Sequence, residues 1–313
     1  MLSVEARRDI EDALLKHLPV SRIAKHADFN AALSYAVFPG GKRIRPILAL
    51  LGAQIVGGAY QTVLPAAAAI EYIHIASLIL DDLPCMDNAS TRRERPALHI
   101  RYGEDQALLV AVALMNVSYQ LVLNCCPSTP ERAIRAHNEL TTCIGADGMI
   151  GGQTIDLALK RQQYAIGISE KICNVKTSAL IQCAVRLGAM LCGADERQLQ
   201  ALAYFAELLG NALQKSDDLE DIREDMSLAA GVPIIEPQAV ETAKKSVAAL
   251  VSEAKNVISV EFGVNRPTQI LCEIADFYAV TAESMAKIQL QQCSARPEVV
   301  SPRCRADSRS NPP

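Results

Sequence analysis

Tryptophan is absent from this chain of 313 residues, and aromatic residues make up only 4% of it. Strict alternation of polar and apolar residues, the pattern of a half-buried β-strand, is hard to find, whereas alanine and leucine are abundant. This composition favours helices over sheets. The net charge of −4 provides no basic surface for a nucleic acid. We therefore expect a helical protein with no nucleic-acid partner.

A disulfide framework and a membrane anchor are not expected either. The ten cysteines are scattered without a Cys-x-x-Cys pair, which predicts reduced thiols filling small core sites. The N-terminal residues include early acids and no apolar core of a signal peptide. Two segments are the most apolar. The first, VLPAAAAIEYIHIASLIL, contains Glu71 and His74, and the second, ALLVAVALM, is too short to span a bilayer. We expect buried helices there, no transmembrane segment, and a cytoplasmic protein.

Helical periodicity recurs along the whole chain. Pro46 is expected to interrupt the third helix, and Pro84 to end the fourth, so that Asp87 turns back on an irregular last turn. Asp195 is expected to cap the helix that follows it. The stretch 294–313 is rich in Pro, Arg and Ser, which predicts a disordered tail after an all-α domain at 1–293, a single large helical bundle. The predicted helices cover residues 4–17, 29–36, 42–57, 64–83, 104–125, 130–160, 168–192, 196–222, 238–260 and 267–292.

Two clusters of aspartates stand out from apolar surroundings. Carboxylates crowded within about two helical turns repel one another, and Mg²⁺ relieves the repulsion by binding one or two of them together with a substrate phosphate. A solvated acidic face is the alternative for the second cluster, whereas unpaired charges at the apolar first site would cost several kcal/mol. Two clusters far apart in sequence predict two walls of one cavity closed around a diphosphate. The clusters are Asp81, Asp82 and Asp87, and Asp217, Asp218 and Asp221.

Basic residues accompany the acidic clusters. The glycine turn at 40–46, GGKRIRP, carries three cations, and Arg92 and Arg93 follow the first cluster. His74 shares a predicted helix face with Asp81. A solvated basic patch and a satisfied core histidine are the alternatives. Taken together, these residues favour phosphate clamps for two diphosphate substrates, one held by metal and the other by cations.

In these residues the chain resembles the trans-isoprenyl diphosphate synthase, or polyprenyl synthetase, family. The sequence around the first aspartate cluster is most similar to bacterial geranylgeranyl diphosphate synthases. The family motifs occur in the family's order: GGKRxRP at 40–46, DDxxxxD with RR at 81–93, GGQxxDL at 151–157, KT at 176–177 and QxxDDxxD at 214–221.

The resemblance implies an isoprenoid-synthase bundle around a deep central cavity, assembled as a homodimer. It implies about three Mg²⁺ ions, with Mn²⁺ as a substitute. The implied reaction ionises an allylic diphosphate (dimethylallyl, geranyl or farnesyl), condenses the cation with isopentenyl diphosphate, and eliminates a proton. A C15 farnesyl diphosphate synthase and a non-catalytic regulatory subunit are the alternatives. A terpene cyclase is disfavoured because it needs no cations for a second diphosphate.

The resemblance also implies a role for each motif residue. The metal ligands would be Asp81, Asp82, Asp87, Asp217, Asp218 and Asp221. The isopentenyl diphosphate would be held by Lys42, Arg45, His74 and Arg93. The allylic diphosphate would contact Arg92, Lys176 and Gln214, with Thr177 and Gln214 near the cation. The chain departs from the family at Lys215-Ser216, where apolar residues are usual, and in IREDMSLAAGVP, which offers no Gly-Lys for a diphosphate.

Two small residues on the helix of the first motif predict the product length. Ser77 and Ala76 precede Asp81 by four and five positions, roughly 6 to 8 Å below the metal end of the helix. The resemblance implies that the growing chain runs beside this helix, where a bulky aromatic residue would form a floor that stops growth at C15. The alternative is a floor set by another helix. The small side chains leave room and predict C20 geranylgeranyl diphosphate.

Overall fold

The protein, as a computed structural model, is described at residues 4–23, 28–126, 128–161, 169–228 and 237–294; side chains at 159–160, 169–177, 217–228, 237–239, 285 and 287–294 lie outside this description. The order along the chain is α1 (Val4–Lys16), α2 (Phe29–Val37), α3 (Ile44–Ile55), a 3₁₀ turn (Tyr60–Val63), α4 (Leu64–Asp81), β1 (Thr91–Arg92), β2 (Arg95–Pro96), α5 (Leu98–Tyr102), α6 (Glu104–Leu123), α7 (Pro130–Ile144), α8 (Met149–Lys160), α9 (Ser169–Leu191), α10 (Glu196–Leu228), α11 (Pro237–Phe262) and α12 (Arg266–Ser294).

The helices form one bundle with α4 and α9 near its centre. Helix α4 packs against α1, α3, α6 and α9, and α9 packs against α3, α7, α8 and α10. Tyr72 in α4 and Phe205 in α10 are among the largest fully buried side chains. The prediction of an all-α bundle is therefore confirmed.

Helices α3 and α9 cross very closely because each has a glycine at the contact. A Cβ atom at Gly188 would lie 1.8 Å from the carbonyl oxygen of Ala49, and one at Gly52 would lie 2.0 Å from that of Val185. No larger residue fits at either position without moving a helix backbone. This crossing fixes α3 against the centre of the bundle. The loop at residues 40–43, called the cation loop below, leads directly into this helix.

The start of α10 is set by a reciprocal cap that its sequence predicts. The backbone N–H of Gln198 donates to Oδ1 of Asp195 at 2.8 Å, and the N–H of Asp195 donates to Oε1 of Gln198 at 3.0 Å. Both bonds satisfy donors that have no partner within the first helical turn. The predicted cap at Asp195 is confirmed.

Two predicted helices have different bounds in the structure. Helix α3 begins at Ile44, so Pro46 stands in the first turn and does not interrupt it, because backbone N–H groups there have no intrahelical acceptor. The helix predicted at 130–160 is divided into α7 and α8 by the turn at Gly145–Gly148. A Cβ atom at Gly148 would lie 2.0 Å from the carbonyl oxygen of Cys143, so the turn requires glycine.

Helices α4 and α6 are long and apolar enough, by composition alone, to cross a membrane. For Tyr60–Asp81, 67% of the most apolar window is buried inside the bundle, and for Glu104–Leu123 the value is 39%. Helix α4 is therefore a core helix, as predicted, whereas α6 keeps an exposed apolar face.

The cysteines do not all fill core sites. Among the described cysteines, all of which are free thiols, Cys183 is buried, Cys85 is exposed, and the others are partly buried. The prediction of core thiols is therefore correct for Cys183 and wrong for Cys85, which lies in the irregular segment after α4.

Candidate active site

The first aspartate cluster closes the C-terminal end of α4. Asp81 is the last residue of the helix, and Pro84 prevents its regular continuation. The chain turns back, so that the backbone N–H of Asp87 donates to the carbonyl oxygen of Asp81 at 2.9 Å. The predicted return of Asp87 towards Asp81 is thus confirmed for the backbone.

Asp81 and Asp82 have different surroundings although they are neighbours. Asp81 lines an internal cavity. The Asp82 side chain is buried and bound by Arg92, whose Nε donates to its two oxygens at 3.0 and 3.2 Å. A further bond joins Nη2 of Arg92 to Oδ1 of Asp82, and these bonds raise the pKa of Arg92 above its ordinary value. Asp82 thus binds a cation of the site, and the structure places Asp81 at the cavity.

Two carboxylates of this cluster fit a magnesium ion. Asp87 is exposed and Asp81 lies at the cavity, so both are accessible to a ligand. Mg²⁺ binds one or two protein carboxylates and completes its octahedron with water and phosphate oxygens. Within the part of the chain that the structure describes, no three metal-ligating side chains lie together. Asp81 and Asp87 would therefore hold an ion together with water and a substrate phosphate.

The second aspartate cluster lies within α10. The helix runs through residues 217–221, so Asp217 and Asp221 are one turn apart on the helix backbone. The side chains of Asp217, Asp218 and Asp221 lie outside the described residues, as do those of Lys176 and Thr177 in α9. Helix α10 packs against α9, which in turn packs against α4. Gln214 is half-buried on α10.

Three of the predicted isopentenyl diphosphate contacts come together around α4. Nη1 of Arg45 donates to Nε2 of His74, 3.3 Å away. Burial, and after it the charges of Arg45 and Arg93, lower the pKa of His74 to about 2. His74 is therefore neutral, with Nε2 as an acceptor. Arg93 lies against the glycine turn, because a Cβ atom at Gly41 would be 2.9 Å from its guanidinium carbon.

Lys42, the fourth predicted contact, extends towards α12. Its Nζ lies 4.6 Å from the centre of the Phe277 ring, within reach of a cation–π interaction. The Lys42 side chain is exposed. The structure thus places Lys42 on the loop just before α3, which carries Arg45, with its ammonium group at the Phe277 ring of α12.

An apolar cavity of about 210 Å³ lies beside Asp81. Helices α4, α6, α7 and α8 and the segment after α4 form its walls. Its lining is mostly apolar, which suits a hydrocarbon chain. The lining residues are Ile73, Ser77, Leu80, Asp81, Met86, Met115, Ile144, Met149, Ile150, Gln153, Thr154 and Leu157.

Only one of the two predicted chain-length residues lines this cavity. Ser77 is in the wall, with its hydroxyl donating to the carbonyl oxygen of His74 at 2.8 Å. Ala76 is fully buried and is not part of the lining. The rotation of α4 thus brings Ser77, and not Ala76, into this wall. A role of Ala76 in chain length stays a prediction.

Gln153 is a candidate site residue that sequence reasoning left out. It lines the cavity with Asp81, and both polar atoms of its carboxamide are buried without a hydrogen-bond partner among the described residues. A buried amide without a partner costs about 1–3 kcal/mol, which a ligand can offset. The GGQ motif was the available signal. Its Gly151 is required by packing, since a Cβ atom there would lie 2.1 Å from the carbonyl oxygen of Ala146.

The polyprenyl synthetase family model matches residues 26–230, which include every motif described above. The chain belongs to this family. The chain is 38% identical over 241 residues to geranylgeranyl pyrophosphate synthase 9, a chloroplastic protein of Arabidopsis thaliana; the match covers 74% of the chain and 64% of the relative. The polyprenyl synthetase described here thus spans less than two thirds of that relative.

Solved structures agree with the polyprenyl synthetase assignment. An FPP/GFPP synthase from Zymomonas mobilis, solved without ligand, superposes with a TM-score of 0.76 at 28% identity, over 88% of this chain and 96% of that one. A geranylgeranyl pyrophosphate synthetase from the archaeon Geoglobus acetivorans superposes with a TM-score of 0.74 at 23% identity, over 88% and 97% of the two chains, and shows the shared fold.

Proposed function

We propose that the protein is a trans-prenyltransferase that condenses isopentenyl diphosphate with allylic diphosphates and releases geranylgeranyl diphosphate. The observation that carries this proposal is the position of Asp81, which lines an apolar cavity at the end of the helix whose His74 accepts a hydrogen bond from Arg45. A diphosphate ester with a long hydrocarbon tail has the same division into a charged head and an apolar chain. The name of the Arabidopsis relative supports the same product.

The carboxylates and the cations have different roles in binding the allylic diphosphate. Asp81 and Asp87, with Asp217 and Asp221 on α10, would hold Mg²⁺. Magnesium supplies Lewis-acid stabilisation of the diphosphate as it leaves. Asp82 binds Nε and Nη2 of Arg92, and among the described residues no acceptor is bound to Nη1. Asp82 therefore acts by orienting Arg92 towards the diphosphate, rather than as a direct ligand.

A second set of residues would bind isopentenyl diphosphate. Lys42, Arg45 and Arg93 supply positive charge, and neutral His74 keeps Arg45 in place by accepting its hydrogen bond. A neutral histidine avoids a further cation in this crowded basic region. The double bond of isopentenyl diphosphate would attack the allylic cation, and proton loss would complete the new unit. Lys176, Thr177 and Gln214 are proposed to lie near that cation.

The small wall residue Ser77 supports a C20 product over a C15 product. It lies about 6 Å, one helical turn, below Asp81, and Ile73 extends the same wall by another turn. A growing chain meets no aromatic side chain among the described lining residues. Asp81 and Asp87 in the first cluster, with Asp217, Asp218 and Asp221 in the second, support the proposal of about three Mg²⁺ ions, which Mn²⁺ would replace.

We further propose a homodimer in which α6 forms the contact. Leu109 and Val112 on this helix are 54% and 61% exposed, an unusual number of large apolar side chains for a helix facing water. Sedimentation of the protein should give twice the monomer mass, and Val112→Glu should shift it towards the monomer. The cytoplasmic location and the disordered tail stay predictions; residues 295–313 lie outside the described part of the chain.

The proposed reaction is tested by diphosphate release from an allylic substrate in the presence of isopentenyl diphosphate. Release should require Mg²⁺, stop with EDTA, and fall strongly in Asp81→Ala, which should keep its helical circular dichroism. No release with any allylic starter would contradict the proposal and favour a regulatory subunit. Equal release by Asp81→Ala would refute the metal assignment.

A further inference from the structure

Arg43 stands between two predicted diphosphate contacts but does not face the site. It is 5% exposed, and three protein groups accept its hydrogen bonds. Nε donates to Oε1 of Glu11 at 2.8 Å, Nη1 to Oε1 of Glu71 at 2.7 Å, and Nη2 to the carbonyl oxygen of Val37 at 2.9 Å. A second bond from Nη2 reaches Oε2 of Glu11 at 3.2 Å. The guanidinium thus joins α1, the end of α2 and α4.

The paired charges keep Arg43 ionised inside the protein. Burial alone would lower the pKa of Arg43, but the bonds with Glu11 and Glu71 raise it above its ordinary value. Glu71 is 2% exposed, so the bridge to α4 is shielded from water on both sides. A buried ion pair with this many hydrogen bonds has one well-defined geometry.

The backbone at Arg43 is also unusual. Its φ angle is 55°, in the left-handed region that costs a non-glycine residue roughly 1–2 kcal/mol. This residue ends the loop and precedes the first turn of α3. The conformation therefore sets the direction in which the loop residue Lys42 and the helix residue Arg45 leave the chain, and the bonds of the guanidinium maintain it.

Gly40 is needed because of the Arg43 head group. A Cβ atom at Gly40 would lie 1.9 Å from the guanidinium carbon. A flexible arginine could move away, but this one is fixed by four hydrogen bonds. The two glycines of the turn thus make room for two guanidinium groups, Arg43 at Gly40 and Arg93 at Gly41.

Glu71 connects the Arg43 hydrogen bonds to α4, the helix that carries His74 and Asp81. It stands one turn before His74 on α4, which ends at Asp81. Because Arg43 binds Glu71 while Arg45 binds His74, two adjacent contacts fix the cation loop to one face of α4. Displacing the first contact would displace the second.

We propose that the buried Arg43–Glu71 pair is a positioning element that sets the isopentenyl diphosphate site by fixing the backbone from which Lys42 extends and by holding Arg45 against His74. This inference rests on the proposed function. It assigns to Arg43 no contact with substrate.

The variant Arg43→Lys tests this proposal. Lysine keeps the charge but has a point-like head that cannot reproduce the forked bonds to three partners. We expect the KM for isopentenyl diphosphate to rise by about tenfold or more, with little change in the KM for the allylic diphosphate or in kcat at saturation. Glu71→Gln, which keeps an acceptor of the same shape, should shift the same constant in the same direction, and provides the test if Arg43→Lys does not fold.

Arg186→Lys is a matched control. Arg186 in α9 is also partly buried and forked, with Nη2 donating to Oε2 of Glu139 at 3.2 Å, but it connects α9 to α7 away from the cation loop. It should lower thermal stability while leaving both KM values unchanged. A stability loss in Arg43→Lys with an unchanged KM for isopentenyl diphosphate would overturn the proposal. Inactive wild-type protein would instead contradict the proposed function.

Discussion

His74 gives the protein a pH dependence that a single substitution should remove. Burial, together with the charges of Arg45 and Arg93, lowers its pKa to about 2 in the folded protein. In the unfolded chain its pKa returns to about 6.5. Below that value unfolding takes up a proton that the folded state does not bind. The contribution of His74 to stability is therefore constant above about pH 6.5 and falls as the pH decreases below it.

The size of this effect follows from the separation of the two pKa values. Each pH unit below about 6.5 costs about 1.4 kcal/mol of unfolding free energy, so the loss at pH 5 is roughly 2 kcal/mol. His74→Gln is neutral at every pH and should not show this loss. The two proteins should thus differ in the slope of stability against pH, whatever their difference at neutral pH.

Urea unfolding followed by far-ultraviolet circular dichroism measures the slope directly. Between about pH 7.5 and 6.5 the two proteins should give parallel curves, and below about pH 6.5 the wild type should lose stability faster than His74→Gln. Parallel curves down to pH 5 would show that His74 titrates normally in the folded state. The structural account of its burial beside Arg45 would then be refuted.

Four further substitutions have distinct expected outcomes. Asp81→Asn should lower kcat by about a hundredfold or more through lost metal binding. Asp82→Asn should mainly raise the KM for the allylic diphosphate, because it loosens Arg92. Equal kinetic effects of the two variants would contradict the separate roles proposed for Asp81 and Asp82. Ser77→Phe should shorten the product towards C15 by mass analysis, and an unchanged product would place the floor elsewhere. Gly188→Ala should reduce the free energy of unfolding by about 1–3 kcal/mol in urea, because its Cβ would overlap a helix backbone, and an unchanged midpoint would exclude that overlap.

The helical architecture could be predicted because its signals are local. Apolar periodicity located α1, α2, α6 and α9 to within a few residues, and Asp195 indicated the start of α10. The division between α7 and α8 could not be predicted, because the short turn continues the helical periodicity on either side. It depends on the close backbone contact at Gly148.

The site could be predicted as a set of residues but not as an arrangement. The motifs indicated Asp81 and Asp82 equally, since only the rotation of α4 within the bundle decides which one meets the cavity. The same rotation selects Ser77 over Ala76. From the sequence alone, Arg43 could not be distinguished from the neighbouring cations Lys42 and Arg45. Its partner Glu71 is distant in sequence and contacts it only in the folded chain.

Product analysis tests the central claim most directly. Purified protein would be incubated with Mg²⁺, isopentenyl diphosphate and each of the dimethylallyl, geranyl and farnesyl starters, and the chain length of the dephosphorylated product would be measured by mass spectrometry. A C20 product that disappears with EDTA is the predicted result. No elongated product from any starter would contradict the account, and a product ending at C15 would refute the open cavity wall at Ser77.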